Sequence, residues 1–298
     1  MKNLSYIALL SITALTLSAC SSSAGSAQAS AASPQADSTA QTASSAADTA
    51  SGEAKVIKVA TGNSFAPYAY VNEKGELDGF SVALLKEVDE RNPEYSFELE
   101  GTSMEDVLLG VETGNYAFGS YTINKTSDRE EKYLFTEENT GFKNTWVVIK
   151  KGRTDIQTLD DLAGKTFVDT PGKSFYVFME EYNAANPGKE VELVGIDQLN
   201  NTDRLKYIAD GKYDASVIST SVFQQIQDQA NLDVELGFLL FSRPTYYVLN
   251  KADDSDLKDK LDAALKSIHE DGTLSKLSNE YLAEDVSVQQ EAQAVLSE

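Results

Sequence analysis

The sequence predicts an α/β protein built as two lobes with a cleft between them. From Lys55 onward, short β-branched or aromatic runs alternate with amphipathic stretches, which is the pattern of α/β domains. Residues 55–298 are more than one hydrophobic core comfortably organises. A weak internal repeat, TGNYA at 113–117 and DGKYD at 210–214, follows a helix-like stretch and precedes a strand each time. We therefore expect two similar lobes.

Residues 1–19 have the features of a signal peptide. Lys2 supplies a positive start, and the apolar run YIALLSITALTL at 6–17 is shorter than the roughly 20 residues that span a bilayer. The tetrapeptide LSAC at 17–20 resembles the lipobox of bacterial lipoproteins, which implies acylation of Cys20. The alternative is an incidental thiol beside an ordinary cleavage site. Cys20 is the only cysteine, so no disulfide can form within the chain.

Residues 20–54 are predicted to form a disordered tether that begins at the lipidated cysteine. Positions 21–54 hold 10 Ser and 12 Ala and no large apolar residue, so the segment cannot bury enough surface to offset its ordering entropy. The whole chain has 25 basic and 47 acidic residues, a formal charge of −22. This charge argues against nucleic acid as a partner, and it is typical of a soluble surface rather than of a cation site.

The elements of the lobes follow from hydrophobic periodicity. Residues 56–60 form the first predicted strand, and the helix that follows places Phe80, Leu84, Leu85 and Val88 on one face. Further strands are predicted at 97–99, 116–121, 145–149, 166–169, 191–194, 215–218 and 246–249, with helices in the intervals. A C-terminal helix carries Leu257, Leu261, Leu265 and Ile268 at helical spacing, and a second helix follows Gly272.

Several short motifs then occur in a distinctive order: TGNSFAPY at 61–68, GELDGF at 75–80, TSDR at 126–129 leading to YLF at 133–135, LDDLAGK at 159–165 and EDGTL at 270–274. Together they resemble the amino-acid-binding members of the bacterial extracellular solute-binding proteins, family 3, whose fold is the type II periplasmic binding protein. The resemblance implies a first lobe of residues 55–147 and 243–285, a second lobe of 148–242 and a two-segment hinge. Residues 286–298 form a tail that we expect to fray.

Arg129 is the leading candidate for ligand binding. It lies at the start of a predicted helix in which Ser127 and Glu130 have capping-box spacing, at an end where the helix dipole disfavours a cation. The resemblance implies that Arg129 forms a bidentate bond with the ligand α-carboxylate, for which a guanidinium is suited. The alternative is a surface arginine in the charged run DREEK at 128–132.

The resemblance implies further ligand-binding residues around Arg129. Thr122 and Asn124 precede it in the first lobe, and Lys173 and Ser174 stand at a helix start in the second lobe, where backbone N–H groups attract an anion. Loop capping is the alternative for these positions. The remaining members are the aromatic pair Phe65 and Tyr68, which could equally be core, and the hydroxyl pair Ser219 and Thr220.

Ser219 departs from the family, because many members carry an Asp there to bind the α-amino group. The Ser219–Thr220 variant is similar to cystine-type or other sulfur-amino-acid binders. The implied function is capture of an amino acid by a lipid-anchored monomer on the outer face of the bacterial membrane, and delivery to the permease and ATPase of an ABC transporter. No cofactor or metal is expected. The alternatives are a same-fold dehydratase-type enzyme and a ligand-sensing receptor or adhesion lipoprotein.

An enzyme is disfavoured because the only histidine, His269, is predicted to be an exposed helix residue, and no second histidine or cysteine accompanies it to build a triad or a transition-metal site. Trp146 begins an apolar strand and is interpreted as structural. We therefore predict a binding protein and no enzymatic activity.

Overall fold

The computed structural model describes residues 54–294, and Cys20, the signal segment and the tether lie outside them. The strands in chain order are β1 (Lys55–Gly62), β2 (Ser64–Phe65), β3 (Ala69–Val71), β4 (Leu77–Asp78), β5 (Tyr95–Thr102), β6 (Phe118–Ile123), β7 (Tyr133–Phe135), β8 (Phe142–Lys150), β9 (Thr166–Asp169), β10 (Glu192–Gly195), β11 (Ala215–Ile218), β12 (Val234–Pro244) and β13 (Tyr246–Asn250). The helices are α1 (Phe80–Glu90), α2 (Met104–Glu112), α3 (Ser127–Lys132), α4 (Ser174–Ala185), α5 (Asn201–Ala209), α6 (Thr220–Ala230), α7 (Leu257–Glu270) and α8 (Thr273–Leu282). Within this range no helix has the length and apolar character needed to cross a membrane.

Two five-stranded sheets organise the chain. The first has the order β5-β1-β6-β13-β7, and the second has the order β10-β9-β11-β8-β12. In the first sheet β1 runs parallel to β5 and β6, whereas β13 runs antiparallel to β6 and β7. In the second sheet β9 runs parallel to β10 and β11, whereas β8 is antiparallel to β11 and β12. A small hairpin sheet of β2, β3 and β4 adjoins the first.

Each sheet has its own core. The predicted face of α1 is confirmed, since Phe80, Leu84, Leu85 and Val88 are buried in one cluster with the C-terminal helices. The predicted periodicity of α7 is confirmed in the same way, because its four spaced apolar residues are all buried. The second sheet buries a separate cluster that includes Val147, Phe167 and Leu240. The two sheets are therefore packed around separate hydrophobic clusters.

The strands β8 and β12 carry the chain into and out of the second sheet. They pair antiparallel from Phe142 opposite Pro244 to Lys150 opposite Val234. The second sheet therefore begins at Phe142, five residues before the predicted end of the first lobe segment at residue 147. The predicted lobe boundaries after residues 147 and 242 both remain predictions. The β12 strand itself was not predicted from the sequence.

The crossing segments are fastened by a buried hydrogen-bond network. Thr140 and Thr245 join through their hydroxyls at 2.8 Å, and the Thr245 N–H donates to the Gly141 carbonyl at 2.9 Å. The Phe142 N–H donates to the Val286 carbonyl at 2.9 Å, which brings the C-terminal tail to the same place. These bonds join the two crossing segments and the C-terminal tail at one place.

The tail makes backbone hydrogen bonds as far as the structure describes it, and the expectation that it frays stays a prediction. The Gln293 N–H donates to the Leu239 carbonyl and the Ala294 N–H donates to the Leu240 carbonyl, both at 3.0 Å. The Gln293 side chain accepts from the Leu159 N–H at 2.7 Å. These bonds carry the chain a third time from the first sheet to the second.

Candidate functional site

Arg129 lies at the rim of a cleft that both sheets line. The α3 helix begins at Ser127 and is capped by Thr126, whose hydroxyl accepts from the Arg129 N–H at 3.3 Å. The predicted capping residue, Ser127, is therefore wrong by one position. The half-buried guanidinium donates through Nη1 to the Asn124 carbonyl at 3.1 Å. This bond leaves most of its donors for other partners.

The cleft beside Arg129 has a volume of about 650 Å³. Asn124 and Arg129 line one side, and Gly172 and Ser174 at the start of α4 line the other. Lys173, the residue that precedes α4, is exposed. The structure thus brings together the predicted arginine and the predicted helix start of the second lobe. Because parallel strands end at one edge of each sheet, the loops that follow β6 and β9 meet there.

A larger cavity, of about 710 Å³, adjoins this cleft. It is lined by Lys125, Tyr246 and C-terminal residues 289–292, and it contains neither Arg129 nor any residue of α4. Volume alone does not define a site, since a binding site needs convergent polar groups. We therefore place the candidate site in the cleft of Arg129.

Asn124 and Thr122 shape the loop that leads to Arg129. The Asn124 side-chain amide donates to the Pro244 carbonyl at 2.8 Å, which ties the loop to the crossing strand β12. Thr122 has a φ of 49°, a left-handed conformation that is strained for a β-branched residue. Backbone strain of this kind is concentrated at ligand sites.

The aromatic pair Phe65 and Tyr68 stacks at a centroid distance of 5.0 Å, and Tyr121 stacks on Phe65 at 6.2 Å. Tyr68 is 5% exposed, so it belongs to the core as well. Burial raises the pKa of the Tyr68 hydroxyl to about 12, with Ser221 opposing the rise and the Glu284 carboxylate adding to it. Phe65 is half-buried and keeps an accessible part. Tyr121 was missed because no motif marks it.

The hydroxyl pair of the second lobe stands at the start of α6. Ser219 precedes the helix and lies 3.4 Å from Ser221 between hydroxyl oxygens. The Thr220 hydroxyl is buried and has no hydrogen-bond partner within the described part of the chain. Neither Ser219 nor Thr220 lines the cleft of Arg129, whereas Ser221 lines a further cavity with Ala66. The geometry therefore separates this pair from the arginine cleft.

Two residues outside the cleft have definite structural contacts. His269 is half-buried, and its Nε2 lies 2.8 Å from the Asn139 carbonyl, so the expectation of an exposed histidine is wrong. The Trp146 indole N–H donates to Glu284 at 3.2 Å, which agrees with a structural role. Within residues 54–294 no group of three His, Cys, Asp or Glu side chains has a geometry that could hold a metal ion.

Comparison with known proteins agrees with this architecture. Two α/β lobes joined by crossing strands define a type II periplasmic binding protein. Residues 57–284 match the model of the bacterial extracellular solute-binding proteins, family 3, and the chain belongs to this family. It is therefore an extracellular solute-binding protein. The resemblance found in the sequence motifs is confirmed.

Several named proteins of this family are similar to this chain. The chain is 33% identical over 238 residues to the probable amino-acid-binding protein YxeM of Bacillus subtilis, covering 78% of this chain and 85% of YxeM. It is 28% identical over 236 residues to the L-cystine-binding protein TcyJ of the same organism, covering 79% and 87%. The solved structure of the probable amino-acid ABC transporter extracellular-binding protein ytmK of Bacillus subtilis superposes with a TM-score of 0.68 at 24% identity, covering 78% of this chain and all of that one. These names denote binding proteins rather than enzymes.

Proposed function

We propose that this protein captures an amino acid between its lobes and delivers it to the permease and ATPase of an ABC importer, with L-cystine as the first ligand to test. The family and the names of the relatives support capture for transport. L-Cystine comes first because the relative TcyJ is named an L-cystine-binding protein.

One observation carries this proposal: a half-buried guanidinium faces a cleft and has no carboxylate partner among the residues that the structure describes. Within residues 54–294 no carboxylate oxygen lies within 4.0 Å of the Arg129 guanidinium. The start of α4, with Ser174, lines the same cleft and offers backbone N–H groups. A ligand α-carboxylate bound between them gains a bidentate ion pair and a favourable helix end.

The other groups of the ligand are assigned from the family resemblance and from the charges of the cleft. The resemblance assigns the ligand side chain to the stacked pair Phe65 and Tyr68, which lies outside the lining of the Arg129 cleft. Asp128 and Glu181 line the cleft and supply the negative charge that an α-ammonium needs where Ser219 cannot. Of the other predicted polar residues, Asn124 lines this cleft. The remaining ones do not line it, and their contact with the ligand stays a prediction: Thr122, Lys173, Ser219 and Thr220. Closure of the lobes on the ligand follows, since only the closed form makes contacts from both sides.

Calorimetric titration of the purified protein with L-cystine, L-cysteine and the remaining protein amino acids tests the proposal. We expect one amino acid, L-cystine first, to bind with one-to-one stoichiometry. At a concentration of 100 times its Kd, this ligand should stabilise the folded protein by about 2.7 kcal/mol, measured by thermal unfolding. Chromatography of the ligand after incubation should recover it unchanged. Absence of binding by every amino acid, or conversion of the ligand into a product, would reject the function.

We propose as well that Cys20 is acylated and holds the protein on the outer face of the cell membrane. A single acyl chain binds membranes weakly, and stable anchoring takes two signals, so a doubly acylated cysteine would suffice. Expression of Cys20→Ala should move the protein from the membrane fraction to the medium or periplasm, whereas Ser21→Ala should not. Membrane retention of the Cys20→Ala protein would contradict the anchor.

A further inference from the structure

Lys143 is a cation beside the candidate site that the proposed α-carboxylate contact does not use. It lies on β8 directly opposite Arg243 of β12. Its Nζ is 5.4 Å from the centroid of the Phe65 ring, the aromatic side chain assigned to the ligand. Lys143 also lines the small cavity that contains Tyr68 and Thr122. The ammonium therefore lies close to Phe65 and lines one cavity, of about 10 Å³, with two further residues that the resemblance assigns to the ligand.

The surroundings of this ammonium lack negative charge. Within the described part of the chain no carboxylate oxygen lies within 4.0 Å of the Lys143 Nζ. Burial lowers the pKa of Lys143, and the neighbouring charge of Arg243 lowers it further. The Phe65 face offsets only part of this cost, about 0.5–2 kcal/mol for a cation on an aromatic ring. In a chain of net charge −22, a lysine placed in this way is suited to an anion that arrives from outside.

We propose that Lys143 binds a second carboxylate of the ligand, so that the ligand class is an amino acid or short peptide with two carboxylates. The inference rests on the proposed function, in which Arg129 holds the first carboxylate. Arg243 connects the two positions, because it lines the cleft of Arg129 and is the cross-strand neighbour of Lys143.

L-Cystine belongs to this class. It has a carboxylate at each end, and its central disulfide is a polarisable group of the kind that packs well against an aromatic ring such as Phe65. A monocarboxylate amino acid would leave the Lys143 ammonium buried and unpaired, at a cost to affinity. The second cation thus acts as a specificity determinant, which separates dicarboxylate ligands from shorter ones.

The test compares matched ligands on matched variants. Calorimetry would measure L-cystine and S-methylthio-L-cysteine, which keeps the disulfide and one amino-acid end but has a single carboxylate. For the wild type we expect cystine to bind at least about tenfold more tightly. Lys143→Met should raise the Kd for cystine about tenfold and change the Kd for the monocarboxylate ligand less than about twofold. Lys143→Arg should keep most of the preference, and Lys132→Met, an exposed lysine on α3, should change neither ligand.

Unfolding of the ligand-free variants separates binding from structure. Since Met removes a desolvated charge, Lys143→Met should unfold at the wild-type temperature or above it. If Lys143→Met lost the same affinity for both ligands, or lost affinity for neither, the assignment of Lys143 would be overturned.

A wild type whose tightest ligand is a monocarboxylate amino acid would overturn this inference and leave amino-acid capture intact. A wild type that binds no amino acid would defeat amino-acid capture. In that case glutathione and its C-terminal glycine amide serve as the matched pair, and equal affinity or no binding by both would reject Lys143 as a carboxylate site.

Discussion

The Arg129 side chain is carried by α3, a helix of six residues that begins at Ser127. Its bond to the Asn124 carbonyl and the bond from Asn124 to the Pro244 carbonyl form one chain of contacts from the cleft to the crossing strand. The guanidinium is therefore oriented before ligand arrives. Preorganisation of this kind reduces the entropy that binding must offset.

Substitution of Arg129 should weaken ligand binding and spare the fold. Arg129→Ala removes a charge-assisted bidentate contact worth about 1.5–3 kcal/mol, which corresponds to roughly 10- to 150-fold in Kd. The Kd of Arg129→Lys should lie between those of the wild type and Arg129→Ala, because an ammonium keeps the positive charge but not the planar guanidinium that binds a carboxylate through two hydrogen bonds. Calorimetry with the ligand found in the screen gives the values, and Lys132→Ala on the same helix is the control. An Arg129→Ala protein with wild-type affinity would reject the site.

The sequence was sufficient for some site residues and insufficient for others. Arg129 lies in the motif at 126–129, and Asn124 and Ser174 follow predicted strands, so all three could be proposed from the sequence. Arg243, which lines the same cleft, carries no motif, and only the pairing of β8 with β12 brings it there. Lys143 and Tyr121 carry no motif either, and both lie against Phe65. Contacts between distant segments of this kind depend on strand register, which periodicity alone does not specify.

At the scale of elements, a buried ion pair fastens α5 to the second sheet. Arg204 Nη2 lies 2.7 Å from Asp169 Oδ1, and Arg204 Nη1 donates to the Val217 carbonyl at 2.8 Å. Asp169 is the last residue of β9 and also accepts from the Thr170 N–H at 2.8 Å. The pair therefore determines where the loop toward Ser174 leaves the sheet.

Removing one partner of this pair should be costly. Arg204→Met leaves the Asp169 carboxylate buried and uncompensated, and we expect a loss of about 3–5 kcal/mol in unfolding free energy. The double variant Arg204→Met with Asp169→Asn should recover part of the loss, since no charge then remains. Urea denaturation measures both, with the exposed Lys206→Met on the same helix as the control. A single variant as stable as the wild type would show that the pair does not hold α5.

Periodicity predicted some elements and missed others for identifiable reasons. The strands at 166–169 and 215–218 coincide with β9 and β11, since both are short, fully paired and bounded by turns. The strand β12 was missed because it shifts register between Leu236 and Leu239 and again before Phe241, which interrupts the alternation of faces. The contacts of residues 293 and 294 with β12 were not predicted, because their backbone N–H groups donate to carbonyls that are distant in the sequence. Sequence patterns detect regular repeats and not such irregular pairings.

At the scale of the whole molecule, the excess of acids makes stability depend on pH in two opposing ways. Protonation at low pH relieves the mutual repulsion of 47 acidic side chains. It also removes the charge of carboxylates that the fold stabilises. Asp214 is of the second kind, because it accepts from Arg153 Nη1 at 2.6 Å and from the Thr166 N–H at 2.8 Å. Burial alone would raise the pKa of Asp214, but Thr166 and Arg153 outweigh it and lower the pKa.

Asp214→Asn should therefore destabilise the protein at neutral pH and not in acid. A carboxyl whose folded pKa lies below its unfolded value of about 3.9 contributes stability above that value and loses it as pH falls through the folded pKa. We expect a difference of up to about 1 kcal/mol from the wild type at pH 7, because solvent screens this partly exposed pair. The difference should shrink as the pH falls through the folded pKa. Thermal unfolding across pH 7 to 2 measures it, with the exposed Asp210→Asn as the control. A difference that stays constant in acid would show that the charge of Asp214 contributes nothing.

The only tryptophan should report on movement of the two lobes. Trp146 lies on the crossing strand β8 and donates to Glu284, which follows α8 on the first-sheet side and also accepts from Asn144 at 2.9 Å. If the lobes close about these crossing segments, as we propose, ligand binding should change the surroundings of the indole and its fluorescence. We expect a saturable change whose midpoint equals the calorimetric Kd, and no such change in Trp146→Phe. Calorimetric saturation with unaltered tryptophan emission would mean that the ligand binds without moving one lobe against the other at this junction.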